Sequence, residues 1–282
     1  MKYGATIFPT QYSISPVSLA LALEERGFES LWVAEHTHIP VCRSTPWPGG
    51  ADLPRMYYDL YSPLLSLAAA AAVTENLKLG TGISLVAQHD PITLAKEVAT
   101  LDRISNGRFL FGVGGGWNVE EMANHGTDAS RRWKLMRERV EAMKAIWRDE
   151  EAEYHGEFVD FDPIYSWPKP VQQPHPPIHV AGEAPWAIRR ALRYGDGWIP
   201  IAGRGRHEVE AQMNTFHELA AELGRDPAEV EVTIYAAVPD EGTLGRYRDS
   251  GISRAVFFLM PEEDEKVLPV LDQLAELARG VG

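Results

Sequence analysis

The feature that most constrains this chain is a repeated order. A short β-branched or aromatic run is followed by a longer helical pattern, about eight times over. The runs fall at 3–8, 31–34, 77–86, 108–113, 178–181, 198–201, 230–238 and 255–259. Between them lie helical segments at 16–26, stopped by Gly27, at 63–74, and at 91–104, with Pro91 at the first turn. Others run over 130–148, 185–194 and 208–223, and a last one uses Val267, Leu271, Leu274 and Ala278. Alternation of this kind means parallel βαβ units, and about eight units predict an α/β fold, the (β/α)8 TIM barrel, with an open doubly wound sheet as the alternative. One segment breaks the rhythm. Residues 154–177 hold a possible hairpin at 154–158 and six prolines, and read as an insertion between strands 4 and 5. The whole chain, 1–282, reads as one domain.

Composition excludes several classes of function. The formal net charge of −13 lacks the basic surface that general nucleic-acid binding requires. The single cysteine, Cys42, rules out a disulfide framework and a cysteine-based zinc site. The longest nearly apolar stretch, 63–73, is too short to span a bilayer, and the first residues lack the apolar core of a secretory signal. A cytoplasmic protein acting on a small molecule, with no membrane partner, is the expectation.

In such a barrel, chemistry sits where the strands end. The run from Gly112 to Trp117 lacks the third glycine of a dinucleotide fingerprint, since position 117 is Trp. No phosphate-loop motif occurs. His36 and His38 follow the second strand and suggest a divalent metal site, with His179 as a further ligand; the plainer reading makes His38 a loop residue and predicts no metal. Glu35 and His36 together place a carboxylate and an imidazole at a strand mouth, where an imidazole can pass a proton near neutral pH; a surface ion pair is the alternative. Gly82 and Gly114–Gly116 leave two adjacent strand mouths without side chains, as a flat polycyclic ligand requires, or else they serve tight turns. Trp32, Trp133 and Trp147 have core spacing, whereas Trp117 and Trp198 lie near strand mouths. Residues 40–56, with Trp47 and Arg55, read as a lid over substrate or as a surface loop.

These residues carry a likeness. The stretches Leu31-Trp-Val-Ala-Glu-His36, Leu79-Gly-Thr-Gly-Ile83, Leu101-Asp-Arg-Ile-Ser-Asn-Gly-Arg-Phe109 running on to Asn118, Pro174-His-Pro-Pro-Ile178 and Tyr194-Gly-Asp-Gly-Trp198 occur in order. In them the chain resembles the luciferase-like monooxygenase superfamily, and within it the branch that uses coenzyme F420, a 5-deazaflavin. The resemblance implies a dimeric barrel with the ring in its C-terminal mouth and a cis peptide at Gly82-Ile83 backing that ring. It implies His36 as proton donor or acceptor, with Glu35 tuning or orienting it. It further implies cofactor phosphate near Gly115, Gly116, Gly182 and Glu183, where many relatives carry a Gly-Gly pair at the last site. Trp117 stands where a sugar-phosphate-oxidising branch carries Glu, so that activity is not expected. Trp117 and Trp47 are candidates for the substrate pocket. The implied activity is hydride transfer between the deazaflavin and a small organic substrate. The alternatives are an FMN-dependent monooxygenase of the same superfamily and a non-catalytic cofactor carrier.

Overall fold

The computed structural model describes residues 1–50, 52–203 and 209–281. In chain order the elements begin with β1 (Lys2–Ile7), α1 (Pro16–Glu25), β2 (Ser30–Val33), α2 (Pro63–Ala71), β3 (Lys78–Thr81), α3 (Pro91–Ile104) and β4 (Phe109–Val113). Next come α4 (Val119–Asn124), α5 (Arg132–Arg148), β5 (Glu151–His155), β6 (Asp160–Tyr165), β7 (Ile178–Ala181) and α6 (Trp186–Tyr194). The last are β8 (Gly197–Ile199), α7 (Val209–Leu223), β9 (Glu231–Tyr235), α8 (Glu241–Asp249), β10 (Arg254–Leu259) and α9 (Asp264–Val281). Residue 208, the expected start of α7, lies outside the described residues.

Eight parallel strands close into a barrel in the order β1-β10-β9-β8-β7-β4-β3-β2, and β5 and β6 form a separate antiparallel pair. The (β/α)8 architecture and the insertion between the fourth and fifth barrel strands are therefore as expected. The local chemistry explains the elements. Ser15 caps α1 through Ser18 N at 3.0 Å, with Pro16 at the first turn and Gly27 (φ +78°) just past the end. Asp90 caps α3 through Thr93 N at 2.8 Å, and Leu94, Val98 and Leu101 bury its inner face.

Three features differ from the sequence reading. The third strand ends at Thr81 rather than at residue 86. The Gly82–Ile83 peptide is cis, as the resemblance implies, and the chain then buckles into a 3₁₀ turn at Val86–Gln88. The buckle stays tied to both neighbours: Gly82 N donates to Val33 O at 2.7 Å and Ser84 N to Gly112 O at 2.8 Å. Two helices, α4 and α8, were not expected; one is six residues long, and the other carries Gly242 and Gly245, which weaken its signal. The hairpin has its turn where expected, with Gly156 N bonded to Val159 O at 2.8 Å, but its arms begin earlier and end later.

Trp32, Leu110, Ile199, Tyr235 and Val256 fill the barrel interior. Below them, at the end where the strands begin, a charged cluster closes the barrel. Arg254 is fully buried and bonds Glu29 with two parallel contacts of 2.7 and 2.8 Å, Thr233 Oγ1 at 2.9 Å and Glu231 at 3.1 Å. His179 lies beside it with both ring nitrogens buried and without a hydrogen-bond partner among the described residues, Glu231 Oε2 standing 3.9 Å from Nε2. A Cβ at Gly197 would meet that ring at 2.1 Å, which explains the glycine.

Burial holds the His179 imidazole down at about 4, and the Arg254 charge adds to this. Burial raises the Glu231 carboxyl, but Arg254 and Lys2 outweigh it and hold it at about 2. The sign follows from linkage. Below about pH 6.5 the unfolded chain protonates the histidine while the folded one does not, so folding loses stability until pH reaches about 4. The Glu231 contribution is complete above about pH 4.5 and is lost as pH falls toward 2. The expected result is a melting temperature that declines steadily from pH 7 to pH 4 and faster below; a flat profile between pH 7 and pH 4 would contradict this account.

Candidate active site

His36 follows β2 at the C-terminal mouth, its side chain only 6% exposed. Its Nδ1 lies 2.7 Å from Glu121 Oε2, and Trp117 Nε1 donates to its Nε2 at 3.3 Å. An indole N–H can only donate, so Nε2 carries the lone pair and Nδ1 the proton. The second Glu121 oxygen accepts from Thr37 N at 3.1 Å, which fixes the carboxylate from two sides. The ring is packed by Tyr57 at 5.4 Å and by Trp117 at 5.7 Å between centroids. The imidazole is clamped at one nitrogen, and the other accepts a single long, readily displaced contact.

Glu121 was not singled out by sequence. Asn118-x-x-Glu121 has the form of a helix cap, and Asn118 Oδ1 does accept from Glu121 N at 3.3 Å. In an ordinary capping box the Glu carboxylate would turn back to the cap N–H. Here it points to His36, across 85 positions of sequence.

The expected pairing of Glu35 with His36 is corrected. The buried Glu35 carboxylate accepts from His89 Nε2 at 2.8 Å, Ser84 Oγ at 3.0 Å and Leu85 N at 2.5 Å. Burial disfavours its charge, but these donors win and hold it below the usual carboxylate range, while Glu35 in turn lifts His89 against its own burial. Glu35 thus fastens the buckle after β3, and Glu121 takes the place beside His36.

The segment after β2 folds over this group. Trp47 packs edge-on against Tyr57 at 5.7 Å, and the Arg43 guanidinium lies 5.4 Å from the Trp117 ring centre. The Glu120 carboxylate accepts from Ser44 N at 2.9 Å, Ser44 Oγ at 2.6 Å and Thr45 N at 3.1 Å, and these bonds hold its pKa down at about 2. Glu120→Ala therefore frees this segment: tryptic cleavage at Arg43 should speed up several-fold with little change in global stability. Unchanged cleavage would mean that Glu120 does not hold the segment. Beside Glu35 and His36 a cleft of about 720 Å³ runs between α2 and α3, along α3 from Asp90 to Ile104.

The glycines at the mouth are partly explained by the protein itself. A Cβ at Gly82 would meet the Tyr235 ring at 2.5 Å, at Gly114 the Ile83 side chain, and at Gly115 the Trp133 ring at 2.6 Å. Packing within the protein thus accounts for bare backbone at these three positions, beside the ligand and tight-turn readings of the sequence. Gly116 is different: its φ is +70° and its neighbours are Leu85 and Gln88. Beside this turn, Gln88 Oε1 and Asn118 Nδ2 are buried without a hydrogen-bond partner among the described residues. Gly182 has φ +129°, but its N–H is already given to Ile199 O at 3.1 Å. Glu183 is half-buried immediately before α6.

One tryptophan also changes place. Trp198 is buried, stacked on Phe216 and bonded through Nε1 to Gly182 O at 2.9 Å, so it does not line the mouth. Trp133 is half-buried, packed against the edge of the core as its spacing suggests, and it also covers Gly115 at the rim. His38 contacts Thr37, Asn124 and the His125 ring, and His179 sits deep in the barrel, so the metal reading brings no set of ligands together. Among the described residues no group of three or more metal-binding side chains occurs. No described helix is long and apolar enough to cross a membrane.

Comparison with known proteins bears on this site. The profile of the luciferase-like monooxygenase family matches residues 15–239. An uncharacterised protein of Mycobacterium tuberculosis strain H37Rv is 39% identical over 281 residues, covering 98% of each chain. An F420-dependent glucose-6-phosphate dehydrogenase of Kineococcus radiotolerans is 28% identical, covering 83% of this chain and 66% of the relative. Other relatives bear names of both kinds, F420-dependent dehydrogenase and flavin-dependent monooxygenase. The crystal structure of a monooxygenase from Streptomyces bottropensis superposes with a TM-score of 0.80 over 99% of each chain at 21% identity, a likeness of fold.

Proposed function

The chain belongs to the luciferase-like monooxygenase family, a family of oxidoreductases, and on that premise we propose that it is an F420-dependent oxidoreductase acting on a small organic substrate at the C-terminal mouth of the barrel. The observation that carries the reading is His36 after β2, held by Glu121 at 2.7 Å and accepting at Nε2 only the long 3.3 Å contact from Trp117. The relatives named as F420-dependent dehydrogenases support the choice of cofactor.

The residues present fit a deazaflavin ring. The pyrimidine edge of such a ring offers both N–H and C=O groups, and the orphaned Gln88 Oε1 and Asn118 Nδ2 are one acceptor and one donor for that edge. The Gly82–Ile83 buckle would back the ring, and the Gly115-Gly116 turn would leave room for the chain leading to its phosphate. When bound, the deazaflavin supplies a carbon that accepts or donates a hydride.

The protein supplies position and a proton path. In the oxidising direction the substrate C–H bond breaks with its electron pair leaving as hydride, and the hydroxyl proton passes to His36 Nε2 as the carbonyl forms. In the reducing direction the same nitrogen, protonated, returns it. Glu121 holds the ring of His36 and balances the charge that proton transfer creates on it. Trp47 of the pinned segment, with Tyr57 and Trp117 packed in line beside it, excludes water and presents an apolar wall to substrate. Glu121 is thus a positioning residue. Glu121→Ala should lower kcat about 10- to 100-fold with KM little changed. A variant with wild-type kcat would remove Glu121 from the account.

The activity is tested anaerobically. Reduced or oxidised F420 is bound to the protein and mixed with a panel of secondary alcohols, ketones, imines and activated alkenes, and the deazaflavin absorbance is followed in a single turnover. A substrate-dependent change supports hydride transfer. Oxygen consumption with reduced FMN and no reaction with F420 would favour the monooxygenase instead.

A further inference from the structure

The segment after β2 brings to the site a cation whose charge no carboxylate answers. Residues 36–61 carry two strong cations, Arg43 and Arg55. Arg55 is paired with Asp59 at 3.0 Å. Arg43 has no carboxylate partner among the described residues. Its Nη1 donates to Thr45 O, a contact within its own turn, and the rest of its N–H fork makes no hydrogen bond among the described residues. The carboxylates of this rim are taken by other donors. Glu120 Oε1 accepts from Ser44 and Thr45, Glu121 from His36 and Thr37, and Glu35 from His89, Ser84 and Leu85. Arg43 is also no loose surface side chain. It is half-buried, the two residues after it are bonded to Glu120, and its guanidinium lies over the Trp117 ring at 5.4 Å. Trp117 in turn reaches the reacting group: its Nε1 donates to His36 Nε2 at 3.3 Å. One indole therefore carries the imidazole at its edge and the unanswered cation over its face, with Tyr57 and Trp47 packed in line beside it.

We propose that Arg43 takes a carboxylate of the substrate, so that the substrates are small hydroxy acids and the matching oxo acids, with the reacting carbon at His36 and the carbon chain along Trp117. The assignment rests on the oxidoreductase reading and deepens it to a substrate class. A guanidinium fork makes two parallel bonds to a carboxylate, and one cation answers one negative charge. A phosphate dianion would bring a second charge, which Arg55, already paired with Asp59, is not placed to meet. A wholly neutral substrate would leave the fork empty. The indole wall suits the apolar spacer between the two ends of such an acid, and the length of that spacer is set by the span from Arg43 to His36 across Trp117.

The test is equilibrium binding, read by tryptophan fluorescence, of 4-oxopentanoate, 5-oxohexanoate and 6-oxoheptanoate, each against its methyl ester, with and without F420. The wild type, Arg43→Gln and Arg43→Lys are compared at low and high salt. The wild type should bind at least one acid about tenfold more tightly than its ester, with the preference shrinking in salt. Arg43→Gln should lose most of that preference by weakening the acid alone, and Arg43→Lys should keep part of it. For any acid that turns over, Arg43→Gln should raise KM about tenfold and change kcat far less, the mark of a bond made equally in ground and transition states. Wild-type protein that binds acids and esters alike, or binds neither, overturns the carboxylate site, as does a preference that survives in Arg43→Gln. F420 binding in those same samples then leaves the deazaflavin reading standing. An acid preference that is lost in Arg43→Gln, in protein that does not bind F420, keeps the carboxylate site and overturns the deazaflavin reading instead.

Discussion

Replacing His36 with Asn should lower turnover by about 10²- to 10⁴-fold, the usual worth of a positioned proton-transfer group, while cofactor affinity stays within about threefold of wild type. The asymmetry between rate and binding is the point. His36 touches Tyr57, Trp117 and Glu121, and its one displaceable contact is the 3.3 Å bond from Trp117 at Nε2. Asn keeps a polar group near Glu121 but offers no basic nitrogen at the Nε2 position. The proposed ring site, by contrast, would draw on Gln88, Asn118 and the Gly82–Ile83 buckle, none of which is bonded to the imidazole. His36→Ala with added imidazole gives a control: partial return of turnover would tie the loss to the missing base and not to a collapsed lid. Wild-type rates in His36→Asn with a true substrate would remove the proton role.

The largest effect on stability is expected at the other end of the barrel. Arg254→Met leaves Glu29 and Glu231 in a half-buried cluster without their main counter-charge, and Lys2 and Lys78 reach only one carboxylate each. Removing one partner of a buried ion pair costs about 3–5 kcal/mol. For a chain of this size that corresponds to a fall in melting temperature of about 10 °C. Removing the acids together with Arg254, as Glu29→Gln, Glu231→Gln and Arg254→Met, should recover part of the loss, because no unpaired charge then stays buried. Turnover per folded molecule should be unaffected, since this cluster lies at the strand starts and His36 at the strand ends. If Arg254→Met melts like the wild type, the cluster does not hold the barrel closed.

Much of the fold was legible because it is written locally. Pro16, Pro63 and Pro91 each open a helix, Gly27 follows the end of α1, and apolar residues recur every three or four positions in α3 and α5. Where the third strand stops was not legible, because Ile83-Ser84-Leu85-Val86 has the composition of a strand. What ends it is Glu35, a residue about 50 positions away whose carboxylate takes the Ser84 hydroxyl and Leu85 N–H. The site divides in the same way. His36 and Trp117 follow strands and are found by reading strand ends. Glu121 looks like a helix cap, and its partnership with His36 exists only once β2 and the turn before α4 share the barrel rim. The mouth glycines are ambiguous for a related reason. They signal close approach, but sequence does not say whether the approaching group is a ligand or Tyr235, Ile83 and Trp133.

The central claim is that the mouth of this barrel holds a deazaflavin over His36. The most direct measurement is a pair of equilibrium titrations of the protein, one with F420 and one with FMN, followed by quenching of its eight tryptophans. The same pair is run on Trp117→Phe. The account predicts saturable quenching by F420, FMN binding at least about tenfold weaker, and a clear loss of quenching amplitude in Trp117→Phe, whose indole lies against His36 in the wild type. Tighter binding of FMN, or well-folded protein that binds neither ring, would contradict it.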